Sequence, residues 1–172
     1  MLDICLLGTG GMMPMPSRFL TAMLARLNGR LALIDCGEGT QVTMKMLGWG
    51  FKAIDVICFT HFHADHISGL PGLLLTIGNA GRTEPLTLIG PVGLQRIVEG
   101  LTLIAPELPF PIEYIELTQD APNPISVGAF EIHHCPADHM VKCFAYRIDL
   151  KRKGKFDVKK AERSEERRVG KE

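Results

Sequence analysis

The sequence predicts an α/β fold for residues 1–150. Short apolar runs of strand length alternate with segments whose apolar residues recur at helical spacing, and this alternation is typical of α/β proteins. The run AIDVICF at 53–59 is apolar at all but one position, as expected for a strand that is covered on both faces. With 172 residues, 46% of them hydrophobic, the chain can bury a core.

The first three strands are predicted from apolar runs that turn residues separate. The runs are DICLLG at 3–8, TAMLARL at 21–27 and LALID at 31–35. GTGG at 8–11 and the pair Asn28-Gly29 provide the turns, because glycine and asparagine readily adopt turn conformations. A short helix is expected at 39–50, where glycines end the pattern, and the strand at 53–59 follows.

The alternation continues through the rest of this region. Helices are predicted at 67–78 and 93–104, and strands at 86–90 and 112–117. The last two strands are expected at 125–135 and 142–150. Antiparallel pairing is expected wherever a hairpin joins two strands.

Residues 151–172 differ in composition from the rest of the chain. They hold 10 Lys and Arg against 5 Asp and Glu, whereas residues 1–150 hold 9 against 14. Their few apolar residues cannot cover a core, so we expect a projecting arm, a linker or a disordered tail. A basic appendage on an acidic body favours contact with a polyanion, but a solvated tail explains the same composition.

The cysteines and the hydropathy exclude several classes of protein. The five cysteines are scattered and form no C-x-x-C pair, which predicts free thiols in a reducing cytoplasm and argues against a thiolate zinc site. No segment approaches the length of a membrane span. The apolar start lacks a basic lead and soon meets glycines, so we interpret it as a strand and not as a signal peptide.

The stretch THFHADH at 60–66 predicts a metal site. His61, His63, Asp65 and His66 put four ligand-type side chains within six positions, directly after the predicted strand at 53–59. Ligands bind at the carboxyl ends of strands in open α/β sheets. Imidazole and carboxylate are ligands of first-row transition metals, with zinc the default. A single such histidine is more often structural, but four ligand types together have no comparable structural use.

A second cluster, IHHCPADHM, holds the remaining histidines. The segment after the strand can carry His139 back to the metal, whereas His133 and His134 are adjacent and point to opposite sides of a strand. We expect structural roles for those two, and a capping or solvent role for Asp138. The ligand-type residues exceed what one tetrahedral zinc needs, which suggests a two-metal site like those of nucleases and phosphatases, with Asp65 orienting or deprotonating water.

The signature His61-x-His63-x-Asp65-His66 resembles that of the metallo-β-lactamase superfamily, and its context is similar to the ribonuclease Z branch, the transfer-RNA 3′-processing endonucleases. The matching stretches are LGTGGMMPMPSR (7–18), LIDCGEGTQ (33–41), THFHADHISGLPGLL (60–74), GNAGRTEPLTLIGPVG (78–93), LPF (108–110) and PADHMVKCFAYRI (136–148). The metal signature is specific only to the superfamily, whereas GEGTQ together with DHISGLPGLL, GRTEPL and the GP segment is much more specific to ribonuclease Z.

The resemblance implies a role for each site residue. His61, His63 and His139 would hold one Zn²⁺, and Asp65 and His66 a second, with Asp65 also the general base. Asp35 would support the ligand loop without touching the metal. Gly37 to Gln41 would contribute near the site, although Glu38 and Thr40 suit a helix cap equally well.

The resemblance also implies a fold, a substrate and an assembly. The fold would be the first half of an αββα sandwich, and the substrate a precursor transfer RNA that loses its 3′ trailer. A basic arm would grip the RNA, beginning here with Lys151, Arg152, Lys153 and Lys155. The family further implies a cytoplasmic homodimer in which one subunit's arm serves the other's site.

One departure from the family pattern qualifies these expectations. The family has a bridging aspartate and further histidines downstream, but no histidine follows His139 here. The chain therefore resembles the amino-terminal portion of a ribonuclease Z, and residues 163–172 do not continue the arm pattern. We expect the 172 residues alone to bind zinc poorly and to cleave little RNA.

Two other functions fit the same residues. One is a hydrolase of the same superfamily that acts on a small phosphodiester, a lactone or a thioester. The other is a non-catalytic fragment that binds RNA or metal. The basic arm and the GRTEPL segment favour RNA as the substrate.

Overall fold

The computed structural model of the chain describes residues 2–13, 15–104 and 107–149. The prediction of an arm or tail at 151–172, and with it Lys151, Arg152, Lys153 and Lys155, lies outside the described residues.

The described residues confirm the α/β prediction. The strands are β1 (Leu2–Gly8), β2 (Ala22–Leu27), β3 (Arg30–Ile34), β4 (Ile54–Cys58), β5 (Leu86–Pro91), β6 (Ile112–Leu117), β7 (Ile125–Val127), β8 (Phe130–Ala137) and β9 (Cys143–Asp149). The helices are α1 (Thr40–Leu47), α2 (Ala64–Ile67), α3 (Leu70–Asn79) and α4 (Leu94–Leu101), and a 3₁₀ turn, Thr102–Ile104, follows α4. No helix among the described residues is long and apolar enough to cross a bilayer.

The strands form two sheets. The larger sheet has the order β1-β2-β3-β4-β5-β6, and the smaller one the order β7-β8-β9. The pairs β1–β2 and β2–β3 are antiparallel, and the remaining pairs of the larger sheet are parallel. Asn28 and Gly29 make the β2–β3 turn with φ of 51° and 80°, the left-handed conformation that a two-residue hairpin requires.

Two apolar cores make the fold three layers thick. One face of the larger sheet packs against the helices through residues such as Leu33, Ile57 and Leu73. The opposite face packs against the smaller sheet through residues such as Val56 and Ile132. The strands β3, β4 and β5 are therefore covered on both sides, which explains the continuous apolar run in β4. The layers are helix, sheet and sheet, three of the four in an αββα sandwich.

Two predicted elements differ in the structure. The strand expected at 125–135 is a hairpin of β7 and β8, in which Val127 pairs with Phe130 and Gly128 turns the chain at φ 55°. The apolar positions change from odd-numbered (Ile125 and Val127) to even-numbered (Phe130 and Ile132) across this turn. A single strand keeps one alternation throughout, so this change of phase was the available signal for the hairpin. The helix expected at 67–78 corresponds to α3, which begins at Leu70, and the short α2 ends at Ile67 just before it. At Gly69 between them a Cβ atom would lie 2.1 Å from the carbonyl oxygen of Gly37.

Two hydrogen bonds join the smaller sheet to the end of β4. The amide of Phe144 donates to the carbonyl oxygen of Thr60 at 2.9 Å, and the hydroxyl of Tyr146 donates to the carbonyl oxygen of Phe59 at 2.8 Å. Both donors belong to β9. The hairpin between β8 and β9 is thereby placed beside the residues that follow β4.

Arg82 of the GRTEPL segment is a buried structural residue. Its side chain is 1% exposed. Its guanidinium donates to the carbonyl oxygens of Lys52 and Glu84, both at 2.8 Å, and also to those of Ile54 and Pro85. The charge is thus used to join the start of β4 to the segment before β5. Arg82 is not available for RNA, so GRTEPL does not favour that substrate through a contact of this side chain.

We predict that Arg82→Met lowers the free energy of unfolding by at least about 3 kcal/mol, because several buried carbonyl groups lose their donor. The measurement is urea unfolding followed by circular dichroism. Arg96→Met is the matched control, since Arg96 is exposed on α4 and the change should stay within about 0.5 kcal/mol. Equal midpoints for the two variants would contradict a structural role for Arg82.

Candidate metal centre

The sequence THFHADH forms the connection from β4 into α2. His61 and His63 lie in the loop and not on an extended strand end, and His63 is the residue that caps α2. Asp65 lies in the first turn of α2. The loop follows the carboxyl end of β4, the edge of the sheet where the sequence places the site.

Three imidazoles from two distant segments meet at this edge. The rings of His61 and His63 lie 4.6 Å apart between centroids, and that of His139 lies 4.6 Å and 5.0 Å from them. One ring nitrogen of each histidine lies within 4.8 Å of those of the other two. His139 reaches the site from the turn between β8 and β9, as the sequence predicts.

The geometry of the three imidazoles fits a metal ion. Nε2 of His61 is 3.1 Å from Nδ1 of His63, close to the separation of about 3.3 Å that two nitrogens keep around a tetrahedral zinc. Burial, followed by the charge of nearby His66, lowers the pKa of His61 to about 4. His61 is therefore neutral near pH 7 and has a lone pair to offer, which a metal ligand requires.

Asp35 and Thr60 determine which nitrogen of His61 faces the centre. The Thr60 hydroxyl donates to Oδ2 of Asp35 at 2.8 Å, so its oxygen is left to accept from Nδ1 of His61, 2.9 Å away. Nδ1 then carries the proton and Nε2 the free lone pair. Hydrogen bonds of this kind set both the tautomer and the orientation of a ligating histidine.

His66 and Asp65 form a second pair of ligand-type groups. Nδ1 of His66 donates to Oδ2 of Asp35 at 2.8 Å, which leaves Nε2 free, 3.6 Å from Oδ2 of Asp65. Burial alone would lower the pKa of His66, but the hydrogen bond to Asp35 and the charges of Asp35 and Asp65 raise it overall. Among the described residues, no third ligand joins this pair in a metal-sized group.

The buried carboxylate of Asp35 holds Thr60 and His66 in place by hydrogen bonds. Its side chain is buried, and Oδ1 accepts a hydrogen bond from the amide of Thr60 at 2.8 Å. Its φ of 58° is unusual for a residue other than glycine and is a sign of a constrained position. The neighbouring Cys36 amide donates to the carbonyl oxygen of His66 at 2.7 Å. At Gly37 a Cβ would lie 2.4 Å from the carbonyl oxygen of Asp65.

Several other candidates lie away from the centre. His133 contacts Asp149 at 3.1 Å, and Nε2 of His134 lies 3.3 Å from the carbonyl oxygen of Pro122. Asp138 is exposed. Structural and solvent roles for these residues agree with the sequence-based expectation.

Segment 37–41 forms the turn that leads into α1. Thr40 donates its hydroxyl to the carbonyl oxygen of Gly37 at 2.7 Å and is buried. Gly39, in the left-handed conformation, is the cap residue of α1, and no side chain makes a cap hydrogen bond there. Thr40 therefore acts within its own turn, and Glu38 is exposed.

Two residues that position the site, Thr60 and Tyr146, are not among those that the sequence predicts. Both are single polar residues beside apolar runs, and nothing in a spacing pattern marks them. A threonine directly before the first histidine was the available signal for Thr60, because a ligating histidine needs an acceptor for its second nitrogen. Tyr146 acts across the two sheets, and no local pattern predicts such a contact.

A family model described as "Anti-Pycsar protein Apyc1" matches residues 2–98, which is more than half of the chain. The chain belongs to this family.

The resemblance to ribonuclease Z is confirmed by curated relatives of that name. Ribonuclease Z of Lachnospira eligens is 58% identical over 94% of this chain, and that of Clostridium kluyveri is 60% identical over 94%. The chain covers 53% of each of these relatives. It thus spans about half the length of the curated relatives that it matches.

Solved structures confirm the metallo-β-lactamase fold. The short form of human tRNase Z superposes with a TM-score of 0.75 at 30% identity, covering 87% of this chain and 65% of that one. YhfI of Bacillus subtilis, a metallo-β-lactamase fold protein, gives a TM-score of 0.68 at 22% identity, covering 86% and 58%. At that identity the likeness to YhfI shows the fold alone. The fold and the ribonuclease Z relatives imply metal dependence, and the three histidines supply a place for an ion.

We predict that Asp35→Asn weakens Zn²⁺ binding about 10- to 100-fold, the usual loss when a group that orients a ligating histidine is removed. Asparagine tolerates the left-handed backbone. If its NH₂ group replaces Oδ2, it can accept neither the hydrogen bond from the Thr60 hydroxyl nor the one from Nδ1 of His66. Competition with a chromophoric zinc chelator measures the affinity.

Asp120→Asn is the control for this variant, because Asp120 is exposed in the loop after β6 and should leave zinc affinity unchanged. Urea unfolding of both variants checks that they remain folded. Unaltered affinity in folded Asp35→Asn would show that Asp35 does not orient the ligands.

Proposed function

We propose that the chain carries the metal-binding part of a zinc-dependent endoribonuclease that removes the 3′ trailer from precursor transfer RNA. The observation that carries the proposal is the meeting of His61, His63 and His139 at the carboxyl edge of the larger sheet. The ribonuclease Z names of the curated relatives support the choice of substrate.

The site residues are proposed to act in two groups. His61, His63 and His139 hold one Zn²⁺, and Asp65 with His66 contributes to a second. Zinc bound at these positions would supply an activated water and neutralise charge on the phosphate. Asp35 directs Nε2 of both His61 and His66 away from its own carboxylate, which agrees with its hydrogen bonds to Thr60 and His66.

Asp65 is proposed as the general base. Its carboxylate is largely shielded, and Oδ2 faces Nε2 of His66 at 3.6 Å. A water between these groups and the substrate phosphate could pass its proton to Oδ2 of Asp65 as it attacks. Asp65 and His66 are consecutive residues of α2, so the proposed base stays next to the proposed ligand His66.

The partner and the setting follow from the same proposal. Residues 1–150 are acidic overall, so affinity for RNA must come from local basic groups, and we assign Lys151, Arg152, Lys153 and Lys155 to phosphate contacts. A homodimer in the cytoplasm is proposed for the whole protein. The five free cysteines, of which Cys36 and Cys58 are buried, suit a reducing compartment.

A second candidate function is hydrolysis of a small phosphodiester. The family model that matches residues 2–98 is named after a protein other than ribonuclease Z, and the same three histidines would serve either substrate. The nature of the substrate therefore needs a direct test.

We predict slow release of a single 3′ trailer when the chain is mixed with precursor transfer RNA and Zn²⁺ under single-turnover conditions. The rate should be low, because Asp65 and His66 lack a third ligand among the described residues. Sequencing gels locate the cut. His63→Ala should abolish it, since His63 is one of the three convergent imidazoles.

Leu103→Ala is the control, because Leu103 is exposed on the 3₁₀ turn after α4. Bis-p-nitrophenyl phosphate and a lactone are assayed in parallel. Hydrolysis of a small substrate without any cut in the RNA would favour the second candidate. A rate equal to that of a full-length ribonuclease Z would show that the expected impairment is wrong.

We also predict that replacing Lys151, Arg152, Lys153 and Lys155 with glutamine weakens RNA binding and its dependence on salt. Each lost phosphate contact lowers the slope of log K against log salt by roughly 0.7 to 0.9. Filter binding at several salt concentrations measures the slope. The control replaces Lys45 and Lys52, and an equal slope for both variants would assign the contacts elsewhere.

A further inference from the structure

A cavity of about 830 Å³ lies beside the metal centre. It is bounded by the ends of β5 and β6, by the segment after β6, and by the hairpin between β8 and β9. His139 belongs to its wall. The same imidazole therefore faces the histidine cluster and the cavity, and any substrate at the cluster lies next to this space.

The cavity wall combines apolar surface on several sides with polar side chains. Val92, Met140 and Phe144 provide apolar surface. Val92 and Met140 are 47% and 89% exposed, so their side chains are accessible to a ligand. Gln119 and Lys142 are exposed polar residues of the same wall. Ligand cavities commonly have volumes of about 300–1,000 Å³ and combine apolar walls with a few polar groups.

One polar residue of the wall is already engaged. The Asn123 side chain donates to the carbonyl oxygen of His134 at 2.8 Å and accepts from its amide at 3.3 Å. Asn123 therefore holds the segment after β6 against β8, because its side chain pairs with both backbone groups of His134 as a neighbouring strand would. These hydrogen bonds fix the wall of the cavity on this side. The side-chain amide of Gln119 is exposed and can bond a ligand.

We propose that this cavity binds the base of a nucleotide adjacent to the scissile phosphate, with Lys142 contacting a neighbouring phosphate. The proposal rests on the function proposed above. Bases stack on apolar and aromatic side chains without strict sequence preference, which suits a wall made by Val92, Met140 and Phe144. Lys142 is the one Lys or Arg among the residues that line the cavity, and Asp138 is the one acidic residue. A single cation beside apolar and aromatic side chains matches one nucleotide better than a duplex backbone.

Photo-crosslinking tests this assignment. Two RNA hairpins with a 3′ single strand carry 4-thiouridine on one or the other side of the scissile phosphate, and each is irradiated with the zinc-loaded chain. We expect adducts from one of the two RNAs on cavity residues, mapped by mass spectrometry to 136–144 or to the end of β6. Val92→Trp and Gln119→Trp, which fill the cavity from two different segments, should each reduce this yield at least five-fold.

Leu103→Trp is the matched control, since Leu103 is 80% exposed and outside the cavity; its yield should change less than two-fold. Lys142→Gln should lower the salt dependence of RNA binding by about one contact, whereas Lys45→Gln should lower it less. Crosslinks at other residues, or full yield in both filled variants, would overturn the cavity assignment and leave the proposed function standing. An unmodified chain that neither binds nor crosslinks either RNA would overturn both.

Discussion

The buried carboxylate of Asp35 is the interaction on which the metal centre depends. It accepts from the amide and the hydroxyl of Thr60 at the start of the ligand loop, and from His66 near its end. One side chain thus joins both ends of THFHADH to the carboxyl end of β3. Because the acceptor is a buried carboxylate, its hydrogen bonds are charge-assisted and stronger than neutral ones. The left-handed backbone of Asp35 directs its side chain at the cost of some strain.

The smaller sheet contributes the third imidazole by a different physical route. Residues of β7, β8 and β9 pack on the larger sheet over one apolar core, and Phe144 and Tyr146 bind the backbone just after β4. Burial of apolar side chains between the sheets sets the distance between them. The hydrogen bonds of Phe144 and Tyr146 set the alignment of the sheets at the edge where the turn between β8 and β9 carries His139. The packing of the two sheets therefore positions His139 beside His61 and His63.

Close backbone packing explains the glycines around the site better than flexibility does. At Gly37 and Gly69 a Cβ would lie 2.4 Å and 2.1 Å from backbone oxygens. The backbones of the segment before α1 and of the turn before α3 are therefore too close together for any side chain between them. Gly11 in the GTGG segment, in contrast, has no atom within 4 Å of such a Cβ. The family-specific segment GRTEPL likewise has a structural basis, since Arg82 joins β4 to the segment before β5.

The sequence by itself determined the strands, the helices and the ligand-type residues, because apolar periodicity and turn residues act locally. The run in β4, the Asn28-Gly29 turn and the grouping of His61 with His63 are all local. Only the tertiary structure decided that Arg82 is buried and which nitrogen of His61 is free. Those outcomes depend on contacts between residues distant in the chain, such as Asp35 with His66 and β9 with Thr60, and no single stretch of sequence contains both partners.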